Sequence, residues 1–240
     1  MLIDEVDRVA DRLRRNGFAL TRSTAPDSDA LTATAEKIGR SIGTSSMAVW
    51  PLKSTGADVW LERHTENITD SDPLRYFALG CVIPSATGGE TCLFDGRKAA
   101  RLLLDRIPSA PRVRIRYRSS QRGLEAVHNL IEFDDAFGPI LRFRSECHTN
   151  SVLDRPSSLS EPELYEAVEE ALTASLSVSH SWLPGDFLIV DNTVMLHSRA
   201  PFSGSRQMLR FRFDDPHHPA ISFEGATAAG QADRPLELQS

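Results

Sequence analysis

Several residue patterns in this chain could do metal chemistry. Arg63-His64-Thr65-Glu66 sets an imidazole and a carboxylate two positions apart. On a strand entered through Asp58–Leu61, that spacing points both side chains to one side, where they could share an ion. The pair is weak evidence alone, because 7 histidines in a chain with 33 acids would yield about one such pair by chance. A second segment, Trp182-Leu183-Pro184-Gly185-Asp186, continues through Phe187–Val190 to Asp191-Asn192, and His197 follows. This reads as a tight turn feeding an apolar strand. The histidine beyond it is either a further ligand or a hydrogen-bonded histidine at the edge of a core. Finally, Arg206, Met208, Arg210 and Arg212 share one face of a strand whose other face carries Leu209, Phe211 and Phe213. If the arginine face turns inward, its guanidinium groups need anionic partners, since an unpaired buried charge is strongly unfavourable. If it turns outward, it is a solvated face, a reading that stays open for Arg212 in particular.

These residues need elements to position them. Ile3, Val6, Val9, Ala10 and Leu13 recur at helical spacing before Gly17, and a second helix is expected over Ser28–Ile42, stopped by Gly43. From Met47 onward the pattern changes to short β-like runs: Val59–Leu61, Tyr76–Ile83, Thr91–Phe94, Arg112–Arg118, Val127–Phe133 and Ile140–Phe143. Asp134–Pro139 reads as a hairpin turn, and the Pro-Leu-Lys-Ser stretch after Trp50 as a loop able to cover a site. One helix interrupts the strands at about 161–178. Ser160 and Glu163 form its capping box, and Leu164, Val168, Leu172 and Leu176 its apolar stripe. The tail from Gly225 is small and polar. Many short strands without helix–strand alternation indicate an α+β, mainly β protein built on a sandwich or barrel.

Composition narrows the function. The chain has 240 residues, 40% hydrophobic and 25% charged, which fits one domain with an ample core. A net charge of -6 offers no attraction for nucleic acid. Cys81, Cys92 and Cys147 are too scattered for a disulfide framework, and no apolar run approaches membrane-span length. Acids near the start do not fit a signal peptide, so a cytoplasmic protein is expected. His128, His148, His180, His217 and His218 lack a second ligand at useful spacing, and Asp191-Asn192 reads as a turn supporting the site rather than a ligand.

Taken together, His64-Thr65-Glu66, Gly88-Gly89-Glu90-Thr91, Gly185-Asp186 through Asp191-Asn192 to His197, and Arg206 with Arg210 resemble the Fe(II)/2-oxoglutarate-dependent dioxygenases. The likeness is to the taurine dioxygenase-like group that includes clavaminate synthase, and it runs from about Val59 to Phe213. It implies a double-stranded β-helix, or jelly-roll, with flanking helices. On this likeness the chain is one domain, with a helical part over 1–45 and a core over 47–223. It further implies that His64, Glu66 and His197 form the 2-His-1-carboxylate triad of non-haem iron. Thr91 and Arg206 would hold 2-oxoglutarate, with O2 as the other cosubstrate. Arg210, with Arg144 beside it in the reading, would face the substrate. Glutamate replaces the aspartate commoner in the group, though clavaminate synthase-like members share it. A carboxylate at that position favours hydroxylation over halogenation, for which relatives carry a small residue there.

The substrate expected from these arginines is a small molecule such as an amino acid or related carboxylate, free or carrier-tethered. Alternatives are a desaturase or cyclase using the same chemistry, a non-catalytic binding domain of the same fold, and a zinc hydrolase. The last would leave Arg206 and Thr91 without a task.

Overall fold

Short apolar runs bounded by turn residues become antiparallel ladders, and the longer periodic segments become helices packed on them. The computed structural model describes residues 5–44, 46–71, 73–119, 123–145 and 150–214. In chain order the strands are β1 (Phe18–Arg22), β2 (Ser46–Ser54), β3 (Leu61–His64), β4 (Tyr76–Ile83), β5 (Thr87–Gly88) and β6 (Thr91–Asp95). There follow β7 (Arg114–Arg118), β8 (Glu125–Asn129), β9 (Ile131–Asp134), β10 (Gly138–Leu141) and β11 (Asn150–Asp154). The last five are β12 (Leu176–His180), β13 (Asp186–Asp191), β14 (Met195–Arg199), β15 (Phe202–Ser203) and β16 (Arg206–Asp214). The helices are α1 (Val9–Asn16), α2 (Ser28–Ile42), α3 (Gly96–Arg106) and α4 (Glu161–Ala174).

Two antiparallel sheets carry the architecture. The larger has the order β1-β13-β4-β16-β2 and the smaller β12-β6-β14-β3. Phe77, Cys81, Leu188, Val190 and Met208 of the larger sheet join Leu93 and Met195 of the smaller in one buried cluster. The opposite face of the larger sheet, with Ala78, Phe187, Ile189, Phe211 and Phe213, packs against Val9, Leu13, Leu31 and Ile38 of α1 and α2. Phe94 and Leu196 of the smaller sheet pack with α3 and α4 through Leu103, Leu164 and Val168. β13 is therefore buried on both faces, which explains its unbroken apolar run where half-exposed strands alternate. Mostly β with flanking helices is the class expected, and no described helix is long and apolar enough to cross a membrane.

Four local expectations need correction. The inserted helix ends at Ala174, not near 178, because Leu176–His180 hydrogen-bonds to β6, and a ladder overrides the helical stripe that Leu176 suggested. Its Ser160/Glu163 capping box is present. Trp50-Pro-Leu-Lys-Ser is not a loop but part of β2, an edge strand, where proline is tolerated. Helix α3 was not foreseen; Asp95 caps it by accepting from the Arg97 and Lys98 amides. The run Val127–Phe133 divides at Leu130 into β8 and β9, while the expected hairpin joins β9 to β10. The tail and His148, His217, His218 and Cys147 lie outside the described residues.

The Gly88-Gly89 turn holds β5 to β15. Gly88 has φ 68°, and a Cβ there would sit 2.1 Å from the Pro201 carbonyl oxygen. Gly43 has φ 77° with nothing near its missing Cβ. Gly43→Ala should therefore cost about 1 kcal/mol, the left-handed penalty alone, and Gly88→Ala clearly more. Urea denaturation of both variants checks this; equal losses would contradict the close approach.

Candidate active site

β3 stops at His64, and its ladder with β14 sets His64 directly opposite His197. The two imidazoles are thus cross-strand neighbours, with ring centroids 4.1 Å apart. Glu66 does not lie on the strand, so its convergence on His64 is not the pleat effect its spacing suggested. Its main chain is held instead by Asn192, whose Oδ1 accepts from the Glu66 amide at 2.7 Å. Asn192 Nδ2 donates to the carbonyls of Glu66 at 2.9 Å and Leu74 at 2.8 Å. Asn67 follows with φ 56°, a left-handed conformation that asparagine accepts better than most residues.

Three donor atoms meet at this point. Glu66 Oε2 lies 3.7 Å from His64 Nε2 and 3.6 Å from His197 Nε2, too long for direct hydrogen bonds. His64 Nδ1 donates to the Glu62 carbonyl at 2.7 Å, which leaves the Nε2 lone pair facing the other donors. Burial first, then the adjacent His64 ring and Arg210, pull the His197 pKa down to about 3, so its imidazole is neutral at physiological pH. Burial alone would push the Glu66 carboxyl up, but His64, Arg210 and His197 outweigh it and hold it well below the usual range. Two imidazoles and one carboxylate, all with ligand atoms within 4.8 Å of one another, form a donor set suited to a divalent transition metal. The buried Nδ1 of His197 has no hydrogen-bond partner among the described residues.

The donors line a cavity of about 400 Å3, within the usual range for small-molecule sites. β16 turns its Arg206, Met208 and Arg210 face toward this cavity and its Leu209, Phe211 and Phe213 face toward the helices, which settles the open question about that strand. Arg212, on the same side, reaches Asp70 at 3.8 Å. Arg206 is 6% exposed, and no carboxylate pairs with it among the described residues. Burial, then Arg199, lowers its pKa to about 10, so it remains a cation. The nearby Cys81 thiol, pushed up to about 12 by burial, supplies no compensating charge. Thr91 also lines the cavity. Arg210 Nη1 donates to Glu66 Oε1 at 3.1 Å, while Arg144 lines the wall and bridges to His64 through its main chain.

The model of the taurine catabolism dioxygenase TauD, TfdA family matches residues 2–212. The chain belongs to that family. TauD/TfdA enzymes are Fe(II)- and 2-oxoglutarate-dependent oxygenases that also use O2. Mitochondrial trimethyllysine dioxygenase of Bos taurus is 25% identical over 162 residues, 62% of this chain and 38% of the relative. The human enzyme matches to the same extent. The match thus spans well under half the length of those curated relatives. Among solved structures, PvcB from Pseudomonas aeruginosa aligns with TM-score 0.72 at 20% identity, covering 90% of this chain and 82% of that one. A taurine dioxygenase from Burkholderia xenovorans aligns with TM-score 0.68 at 18% identity, covering 90% and 86%. At these identities the structures speak for the fold alone.

The site thus gathers all seven residues singled out in the sequence around one cavity. Two others were not foreseen. Arg142 donates to the Asn192 carbonyl at 3.1 Å and to Glu132 at 2.9 Å, backing the Asn192 clamp. Its only signal was a charge inside the apolar run Ile140–Phe143. Trp182 donates from Nε1 to Thr91 Oγ1 at 3.1 Å. Because Asn192 touches no donor atom yet fixes the Glu66 backbone, Asn192→Ala should weaken divalent-metal affinity by about 10- to 100-fold. A Co(II) titration followed by its visible absorption measures this, and unchanged affinity would show that the clamp is dispensable.

Proposed function

We propose that this protein is an Fe(II)- and 2-oxoglutarate-dependent oxygenase that hydroxylates an unactivated C–H bond of a small molecule. Its substrate would be an amino acid or related carboxylate, free or carrier-tethered, and its β-sheets a double-stranded β-helix. The observation that carries this reading is the coexistence, in one cavity, of a 2-His-1-carboxylate donor set and a buried arginine without an anionic partner among the described residues.

His64, Glu66 and His197 would hold the metal, each presenting one ligand atom to a common point. When bound, the metal and cosubstrate supply O2 activation and oxidation of the substrate C–H bond. Arg206 would bind the far carboxylate of 2-oxoglutarate, which relieves its own uncompensated burial. Thr91 would donate to that carboxylate from the other side. Arg210 spends one N–H on Glu66 Oε1, and its remaining donors are available to a substrate carboxylate. Arg144 would approach from the His64 side. Leu79, Phe77 and Met208 line the cavity and exclude water from the reacting groups. The carboxylate at Glu66 speaks for hydroxylation over halogenation.

Anaerobic titration of metal-free protein with Fe(II) and 2-oxoglutarate tests the reading through the visible charge-transfer band of the chelate. The band should be absent in His64→Ala and His197→Ala. In Arg206→Ala, cosubstrate affinity should fall by about 10- to 100-fold, as expected when a charged hydrogen bond is removed. Folded, metal-loaded wild-type protein without a band would refute the assignment.

A further inference from the structure

The cavity wall at β6, next to the strand that carries His197, contains a device for choosing an anion. A threonine hydroxyl carries one proton and two lone pairs, whereas an indole N–H can only donate. At 3.1 Å from Trp182 Nε1, Thr91 Oγ1 must therefore act as acceptor. Its own proton has no acceptor among the described residues, and Thr91 lines the cavity. The same indole lies beside Arg206, with the guanidinium carbon 6.0 Å from the ring centroid, and Phe202 flanks that arginine at 5.6 Å. One side chain thus touches both Thr91 and Arg206, yet Trp182 is not among the residues lining the cavity.

Trp182 is itself firmly seated. His180 meets it edge-on with centroids 4.9 Å apart. His180 Nε2 and Asp186 Oδ2 are 3.0 Å apart, and Asp186 also accepts from Arg22 at 2.7 Å and from the Leu183 amide at 2.9 Å. The indole is 7% exposed, and its N–H is spent on Thr91 in the interior.

We propose that Trp182 is a positioning residue that occupies one lone pair of Thr91 and turns its hydroxyl proton toward the cavity, so that with Arg206 it favours an ionised distal carboxylate. The inference rests on the cosubstrate reading above and adds the residue that sets the pocket's polarity. Without the indole, the Thr91 hydroxyl could rotate and half of the clamp would lose its preference. Because the effect acts on the far carboxylate, it should not reach a 2-oxo acid that lacks one.

The test uses full-length protein loaded with redox-silent Mn(II), titrated calorimetrically with 2-oxoglutarate and with 2-oxopentanoate, which has a methyl group in place of the distal carboxylate. Trp182→Phe keeps a ring beside Arg206 and removes the N–H. It should weaken 2-oxoglutarate by about 3- to 10-fold, the range of one buried neutral hydrogen bond, and leave 2-oxopentanoate unchanged. In a Thr91→Val background the same substitution should have no further effect, whereas Thr91→Ser should preserve it. Equal weakening of both ligands, or a full effect in Thr91→Val, would assign Trp182 a packing role only and overturn the inference. Arg206→Ala separates the two levels. If it abolishes 2-oxoglutarate binding while Trp182→Phe does nothing, this inference alone fails. If it changes nothing, the cosubstrate reading falls and this inference with it.

Discussion

The grip of Asn192 on the main chain at Glu66 is the constraint on which the centre of this molecule depends. A strand can deliver His64, and a neighbouring strand can set His197 against it, but Glu66 lies past the end of the ladder. Its amide and carbonyl would be unpaired inside the protein if Asn192 did not satisfy both. The Asn192 carbonyl is in turn held by Arg142, and Arg142 by Glu132, whose other oxygen lies 3.5 Å from His128 Nδ1. His128 Nε2 then pairs with the Asp70 carbonyl at 3.0 Å. Such a buried chain is stable only when each member has its partner, so the position of one carboxylate is specified by residues far from it in sequence.

The part of this that could be read from sequence is local or periodic. Period-two alternation identified β16 and both its faces, and His-x-Glu spacing marked two of the three donor side chains that meet at the cavity. Which face of β16 turns inward was undecided because both are defensible alone. It is decided by Phe211 and Phe213, which need the apolar cover of α2. The Asn192 clamp and the Trp182–Thr91 bond join residues 126 and 91 positions apart in the chain, and no local pattern encodes them. At the end of α4 the failure has another cause. Leu176 continues the helical stripe, but its backbone is claimed by a strand pairing that lies outside any local window.

β16 also assigns unlike electrical roles to two like residues. Arg206 and Arg210 point to the same side, with Met208 buried between them. Arg210 is balanced by Glu66 inside the protein, whereas Arg206 has aromatic rings, a thiol and the like-charged Arg199 nearby and no carboxylate among the described residues. A balanced cation shapes the carboxylate beside it, and an unbalanced one bears the cost of its burial uncompensated. The distinction arises from what lies opposite each residue rather than from the residues themselves.

The order of strands in the larger sheet has a consequence for how the chain is made. β1 pairs with β13, and β16 is inserted between β4 and β2, so no two strands adjacent in this sheet are adjacent in the chain. During synthesis the early strands emerge with their apolar faces uncovered and must wait for partners from the last third of the described chain. Arg206 and Arg210 arrive on the strand that completes the sheet. Closure of the framework and completion of the cavity are therefore one event, and a nascent chain has no stage at which it is a finished scaffold with an unfinished site.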